Sequence, residues 1–302
     1  MKIQRNFRKL LRARQRKLGS CLCTGLDPLL EKLPEHLRTN SPGHEASDVL
    51  IWMMGIVDST VPFTTLFKPQ RAHWEAIPGG AAALQALVKY ILVNYPTIPI
   101  FLDCKRGDID RTQKQYQIAQ FEIDGVDGMN FSPYMGEECM SNLINPDYLG
   151  RAIVGLCYTS NKTARKVQDV LMADGNPYWE FIAKNILEWA ESLGVIENTG
   201  LVMAAAYENP KGSGTVYSKH LSRCRELVGD KLWFLIPGVG TQGGFIEQTI
   251  QAAWTGWGSI AINNSSGIIF ASSGKDYKQA AAKVAKGMHL QMKAAIETKI
   301  AA

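Results

Sequence analysis

Eight short apolar runs alternate with helical stretches along nearly the whole chain, and this alternation limits the fold more than any other feature. The runs are Cys21–Pro28, Thr64–Gln70, Pro99–Lys105, Gly128–Tyr134, Ala152–Tyr158, Gly200–Tyr207, Leu232–Pro237 and Ser259–Asn263. Short apolar segments bounded by Gly, Pro, Asn or Asp read as buried strands. Helical patterns fall between them, through Val49–Ile56, Ala81–Val93, Thr112–Ile123 and Tyr178–Leu193, with a final amphipathic helix from Tyr277 to about Ile296. Strand and helix in strict alternation give an α/β fold, and eight repeats predict a single (β/α)8 TIM barrel. An open doubly wound sheet is the alternative, but no Gly-x-Gly-x-x-Gly follows the first run. The expected organisation is one domain over residues 1–302, with its barrel core at about 20–290. The longest connections, Met135–Arg151 and Asn209–Leu227, are expected to be insertions with some helix.

Composition suits such a core, with 46% hydrophobic and 20% charged residues. The formal charge of +5 is misleading, because the first 18 residues carry eight basic side chains and no acid. The other 284 residues sit at about −3, so the body of the protein is not basic and no nucleic-acid partner is expected. Ile3, Phe7, Leu10, Leu11 and Leu18 share roughly one helical face, which predicts a basic amphipathic helix docked beneath the first strand. A transit peptide is the other reading of an Arg-rich, acid-poor start. No apolar run approaches the roughly 18 residues of a membrane span. The six cysteines are scattered, mostly within apolar runs, as expected of buried free thiols in a reducing, cytoplasmic setting. Cys21-x-Cys23 alone is no metal site.

In a barrel of this kind the working face lies at the C-terminal strand ends. Those ends carry Asp27, Lys68, Asp103 and Lys105, with Asp108 three residues further on, past a glycine. Alternate residues of a strand share a face, so Asp103 and Lys105 are expected to point the same way. One such residue alone reads as a structural ion pair; together they form an alternating acid–base array at one mouth. Glycine-rich turns follow the seventh and eighth runs, Pro237–Gly244 and Asn263–Gly267. Turns at those two places expose backbone N–H groups that can cradle a phosphate.

These residues carry a resemblance. Asp103-x-Lys105-x-x-Asp108-Ile109-x-x-Thr112 resembles the signature of orotidine 5′-phosphate decarboxylase. Leu22–Pro28, Lys68-Pro69-Gln70, Asn130–Tyr134, Thr159-Ser160-Asn161 and Pro237–Gly244 are similar, in order, to the longer-chain branch of that family. The resemblance implies conversion of orotidine 5′-monophosphate (OMP) to uridine 5′-monophosphate (UMP) and CO2, with neither metal nor organic cofactor. By position, Lys105 would protonate C6, Asp103 would sit near the departing carboxylate, and Lys68 and Asp108 would complete the array. Asp27 and Lys68 would hold the ribose hydroxyls and Ser160 would read the pyrimidine edge. Gln242 would grip the phosphate, beside Gly240, Ser265, Ser266 and Gly267. The Asp108–Thr112 loop, with Ile109, would enter the neighbouring subunit's site, which implies a homodimer with shared sites.

One position departs from the family's pattern. Ser266 stands where the family carries an arginine that pairs with the phosphate. Backbone N–H groups with Ser265 and Ser266, or a base such as Arg71 or Lys162, would then take its place. The rival readings are a metal-dependent sugar-phosphate decarboxylase or aldolase, a non-catalytic ligand-binding barrel, or the decarboxylase half of a bifunctional UMP synthase.

Overall fold

The computed structural model describes residues 5–39, 41–239 and 245–301. Eight parallel strands run in chain order: β1 (Leu22–Leu26), β2 (Leu66–Pro69), β3 (Phe101–Arg106), β4 (Gly128–Phe131), β5 (Ala152–Tyr158), β6 (Thr199–Met203), β7 (Trp233–Ile236) and β8 (Ile260–Asn264). They hydrogen-bond in the order β2-β1-β8-β7-β6-β5-β4-β3. Parallel bridges Phe67–Ile100 and Gln70–Asp103 join the two ends of that order, so the sheet closes into the expected α/β barrel.

Closure gives each strand an inner and an outer face, and the side chains alternate between them. Cys23, Leu66, Phe101, Val154, Val202, Leu235 and Ala261 form one buried cluster inside the barrel. Their strand neighbours, among them Leu22, Phe67, Leu102, Ile153, Leu201, Phe234 and Ile262, belong to the larger layer beneath the helices. The same parity, carried two residues onward, turns Lys68, Asp103 and Asn263 inward at the C-terminal end, where they line one cavity with Asn130 of β4. The interior is therefore apolar below and polar above, which fixes where chemistry can occur.

The lower end is closed by the helix Phe7–Leu18. The Asn6 side chain caps it by accepting the Lys9 N–H, and Gly19, at φ 67, ends it in a conformation that glycine adopts without strain. Phe7 and Leu11 are fully buried in the inner cluster, with the Phe7 ring centred 4.9 Å from Trp233 and 6.1 Å from Phe101. Burial of two such side chains contributes about 2–3 kcal/mol each. The arginines of this segment serve the docking. Arg5 clasps Asp127 at 2.6 and 2.8 Å, and Arg8 donates to the carbonyls of Glu197, Asp230 and Lys231. Arg12 and Arg14 donate to the carbonyls of Trp257 and of Val61 and Thr64.

Some boundaries differ from the sequence expectation. The Thr112–Ile123 segment is α-helical over Asp110–Gln117 and continues as a π-helical turn through Ile118–Ile123. The sixth strand ends at Met203 rather than Tyr207, and Tyr207–Glu208 instead pairs antiparallel with Val216–Tyr217. Such a two-residue hairpin is too short to show a period. It is held by the Glu208 carboxylate, which accepts the N–H groups of Gly212 and Gly214 at 2.6 Å each. Helix Lys219–Val228 follows it, and Met135–Arg151 carries the short helical turns Glu138–Ser141 and Pro146–Tyr148. Among the described residues, no helix is long and apolar enough to cross a membrane.

Candidate active site

A cavity of about 730 Å³ opens at the C-terminal ends of the strands, a size suited to a nucleotide. Leu156, Val202 and Leu235 form apolar wall, and Asp27, Lys68, Asp103 and Lys105 bring the charge. Lys68 is the buried centre of that charge, only 3% exposed. Its Nζ lies 3.5 Å from Asp27 Oδ1 and 3.3 Å from Asp103 Oδ2. The Lys105 ammonium donates to the other Asp103 oxygen at 2.5 Å. The four charges thus run acid, base, acid, base in continuous contact.

Burial alone would pull the Lys68 ammonium down, but the Asp27 and Asp103 carboxylates outweigh it and hold it well above the usual lysine range. Burial would likewise raise Asp103. The charges of Lys68 and Lys105, with hydrogen bonds from Lys105 and Asn130, hold it well below the usual carboxylate range instead. Both shifts favour the charged forms. Cys104, between the two key residues, is pushed up to about 12 by burial and is no nucleophile. Asp27 Oδ1 is buried against the Lys68 ammonium and accepts no hydrogen bond from the described residues.

Asp103 and Lys105 do come together, though not by regular alternation. Lys105 has a left-handed backbone, φ 47, and the β3–β4 register shifts between Leu102 and Arg106. Asn130 faces this irregularity. Its side-chain oxygen accepts the N–H groups of Cys104 and Lys105, and its amide donates to Asp103. Asn130 and His73 are cavity residues to which sequence reasoning assigns no role, although Asn130 opens the family-like stretch Asn130–Tyr134. For Asn130 the signal was a polar residue among apolar ones near the end of the fourth strand.

Ser160, Ser265 and Ser266 line the same cavity. Ser265 lies so close to β1 that a Cβ on Gly25 would fall 1.8 Å from its Oγ. Gly267 is not on the cavity wall; it lets the turn after β8 fold tightly, since a Cβ there would meet the Asn264 side chain at 2.7 Å. Gly240 and Gln242 lie outside the described residues. Asp108, Ile109 and Thr112 line a separate surface recess with Asn142, so a single chain does not bring them to the Lys68–Asp103–Lys105 array. The alternative bases are not on the cavity wall either. Arg71 is held by Glu75 at 2.8 Å, Gln120 at 3.0 Å and Asp124.

The geometry stands beside clear similarities. The model of the orotidine 5′-phosphate decarboxylase / HUMPS family matches residues 72–284. An orotidine 5′-phosphate decarboxylase from Bordetella avium is 36% identical over 284 residues, 94% of this chain and 97% of that protein. The solved Leishmania donovani OMP decarboxylase shares the fold with a TM-score of 0.72 at 26% identity, over 94% of this chain and 99% of that one. The Leishmania donovani UMP synthase matches with a TM-score of 0.72 at 27% identity over 94% of this chain, which spans 57% of the synthase.

Proposed function

The chain belongs to the orotidine 5′-phosphate decarboxylase / HUMPS family, and from that membership we propose that it converts OMP to UMP and CO2 in pyrimidine biosynthesis. The observation that carries this reading is the contact chain Asp27–Lys68–Asp103–Lys105 on the wall of a nucleotide-sized cavity. Breaking the bond between C6 and its carboxylate releases CO2 and leaves an electron pair on a ring carbon that no cofactor delocalises. Lys105, its side chain half exposed at the cavity, places an ammonium where that charge develops and gives up a proton to C6. The resulting amine regains a proton from solvent. Asp103 lies beside Lys105, where it repels the substrate carboxylate in the ground state. Asp27 and Lys68, both on the cavity wall, take the ribose hydroxyls. Ser160 reads the pyrimidine edge, and Ser265, Ser266 and Gly267 after β8, with Gly240 and Gln242 after β7, receive the phosphate.

In this reading the protein is a cytoplasmic single-domain barrel that works as a homodimer. Support comes from Asp108, Ile109 and Thr112, which line a recess apart from their own chain's cavity, with Ile109 40% exposed. Across a two-fold interface this loop would complete the partner's array. The test is ultraviolet spectroscopy of OMP consumption by the purified protein after exhaustive chelation. Full turnover is expected. Loss of turnover on adding EDTA, restored by Mg²⁺, would assign the protein to metal-dependent chemistry.

A further inference from the structure

The feature that the chemistry above leaves unexplained is why Lys105 holds a left-handed backbone. A non-glycine residue at φ 47 is strained and persists only where its surroundings hold it. Leu102 pairs with Met129 and Arg106 with Phe131, so four steps along β3 oppose two along β4. The extra length must bulge, and in bulging it removes backbone N–H groups from the ladder. Asn130 sits opposite. Its Oδ1 accepts from Cys104 N at 2.8 Å and Lys105 N at 2.7 Å, while its Nδ2 donates to Asp103 Oδ1 at 2.7 Å. With Asn130 only 1% exposed, water has little access to replace those bonds.

We propose that Asn130 is the positioning residue of the reaction. Its single amide holds the bulge that aims the Lys105 ammonium and fixes the rotation of the Asp103 carboxylate. Resting on the decarboxylase reading, this assigns to β4 a part in the chemistry of β3. The Asp103 oxygen bonded to Asn130 is the one that receives Lys105, which leaves the other oxygen turned to Lys68. Without the amide, two N–H groups lose their acceptor, the strained turn at Lys105 relaxes and the ammonium leaves its place.

Two variants test this against wild type, with kcat and KM for OMP measured separately between pH 5 and 8. Asn130→Ala removes all three bonds and is expected to lower kcat at least thirtyfold while KM stays within about threefold. Asn130→Asp keeps the shape but sets a second carboxylate against Asp103. At pH 8 its kcat should be as low as that of Asn130→Ala. A carboxylate facing another has a raised pKa, so acidification supplies the missing O–H donor. The kcat of Asn130→Asp should therefore climb toward pH 5 while that of Asn130→Ala does not, a rescue that a merely structural role would not give. The crystal structure of Asn130→Ala reads the inference without turnover: Lys105 should leave φ near 47 and its Nζ should part from Asp103. An inactive wild type would refute the decarboxylase reading, and the crystal structure alone would then decide this one. A folded Asn130→Ala with kcat within threefold of wild type, or with Lys105 unmoved, overturns it.

Discussion

Replacing Lys68 by Met keeps the length of a buried side chain and removes one charge from the centre of the array. In the native protein that ammonium faces two carboxylates at 3.5 and 3.3 Å. At an effective dielectric constant of about 20, each contact is worth about 5 kcal/mol. Desolvation of the ions cancels several kcal/mol of this, but removing one partner still leaves buried charge uncompensated, at a typical cost of about 3–5 kcal/mol. Asp27 and Asp103, both within 3.5 Å of the lost nitrogen, are then no more than about 7 Å apart with no charge between them. The pH dependence follows from the signs of the shifts. Lys68 is raised above its unfolded value, so its stabilisation is complete below the unfolded lysine pKa and is lost only in strong alkali. Asp103 is depressed, so its stabilisation is present above the unfolded carboxylate pKa and is lost only in strong acid. Wild type should therefore vary little between pH 8 and 5 from these groups. In Lys68→Met the two carboxylates repel, one takes up a proton as the pH falls, and the deficit shrinks. Urea unfolding of both proteins at pH 8, 6.5 and 5 measures it. A deficit under about 1 kcal/mol at pH 8, or one unchanged at pH 5, would mean that solvent screens the cluster and that the array is not a buried charge chain.

Lys105→Ala should lower kcat by several powers of ten while the nucleotide still binds, because the ammonium acts on charge present mainly in the transition state; steady-state kinetics with a binding titration checks this, and a loss below about tenfold contradicts the role. Mixing inactive Lys105→Ala with inactive Asp108→Ala under subunit exchange should restore roughly a quarter of wild-type activity, since half of the dimers are mixed and each has one intact site. Demonstrated exchange without recovered activity would sink the shared site. Gly25→Ala drives a Cβ to 2.6 Å from the Ser265 Cβ and 3.0 Å from its Cα, so the turn after β8 must move. KM for OMP should rise about tenfold with a smaller change in kcat, and an unchanged KM would remove Ser265 from the phosphate site.

Much of the site was legible because a strand has a side-chain period of two and a closed sheet assigns one face of every strand to its interior. Once Leu66 and Phe101 are inside, Lys68 and Asp103 must be inside too, one layer nearer the mouth. The same reasoning reaches Lys105 for the wrong reason. It assumes a regular strand, whereas the residue sits in a left-handed turn secured by an amide 25 positions away along the chain. No local window contains that bond. The basic start of the chain was opaque in the same way. A count of charges cannot distinguish a targeting segment from arginines whose donors satisfy loop carbonyls beneath a barrel, because the acceptors of Arg8 and Arg12 lie about 190–250 residues further on. The Asp108–Thr112 loop marks the limit of the parity argument, since its residues turn away from their own cavity and parity concerns one chain alone. Local pattern thus reports where the charges are, and non-local hydrogen bonds decide how they are aimed. That is why a buried asparagine on β4 can govern the geometry of a lysine on β3.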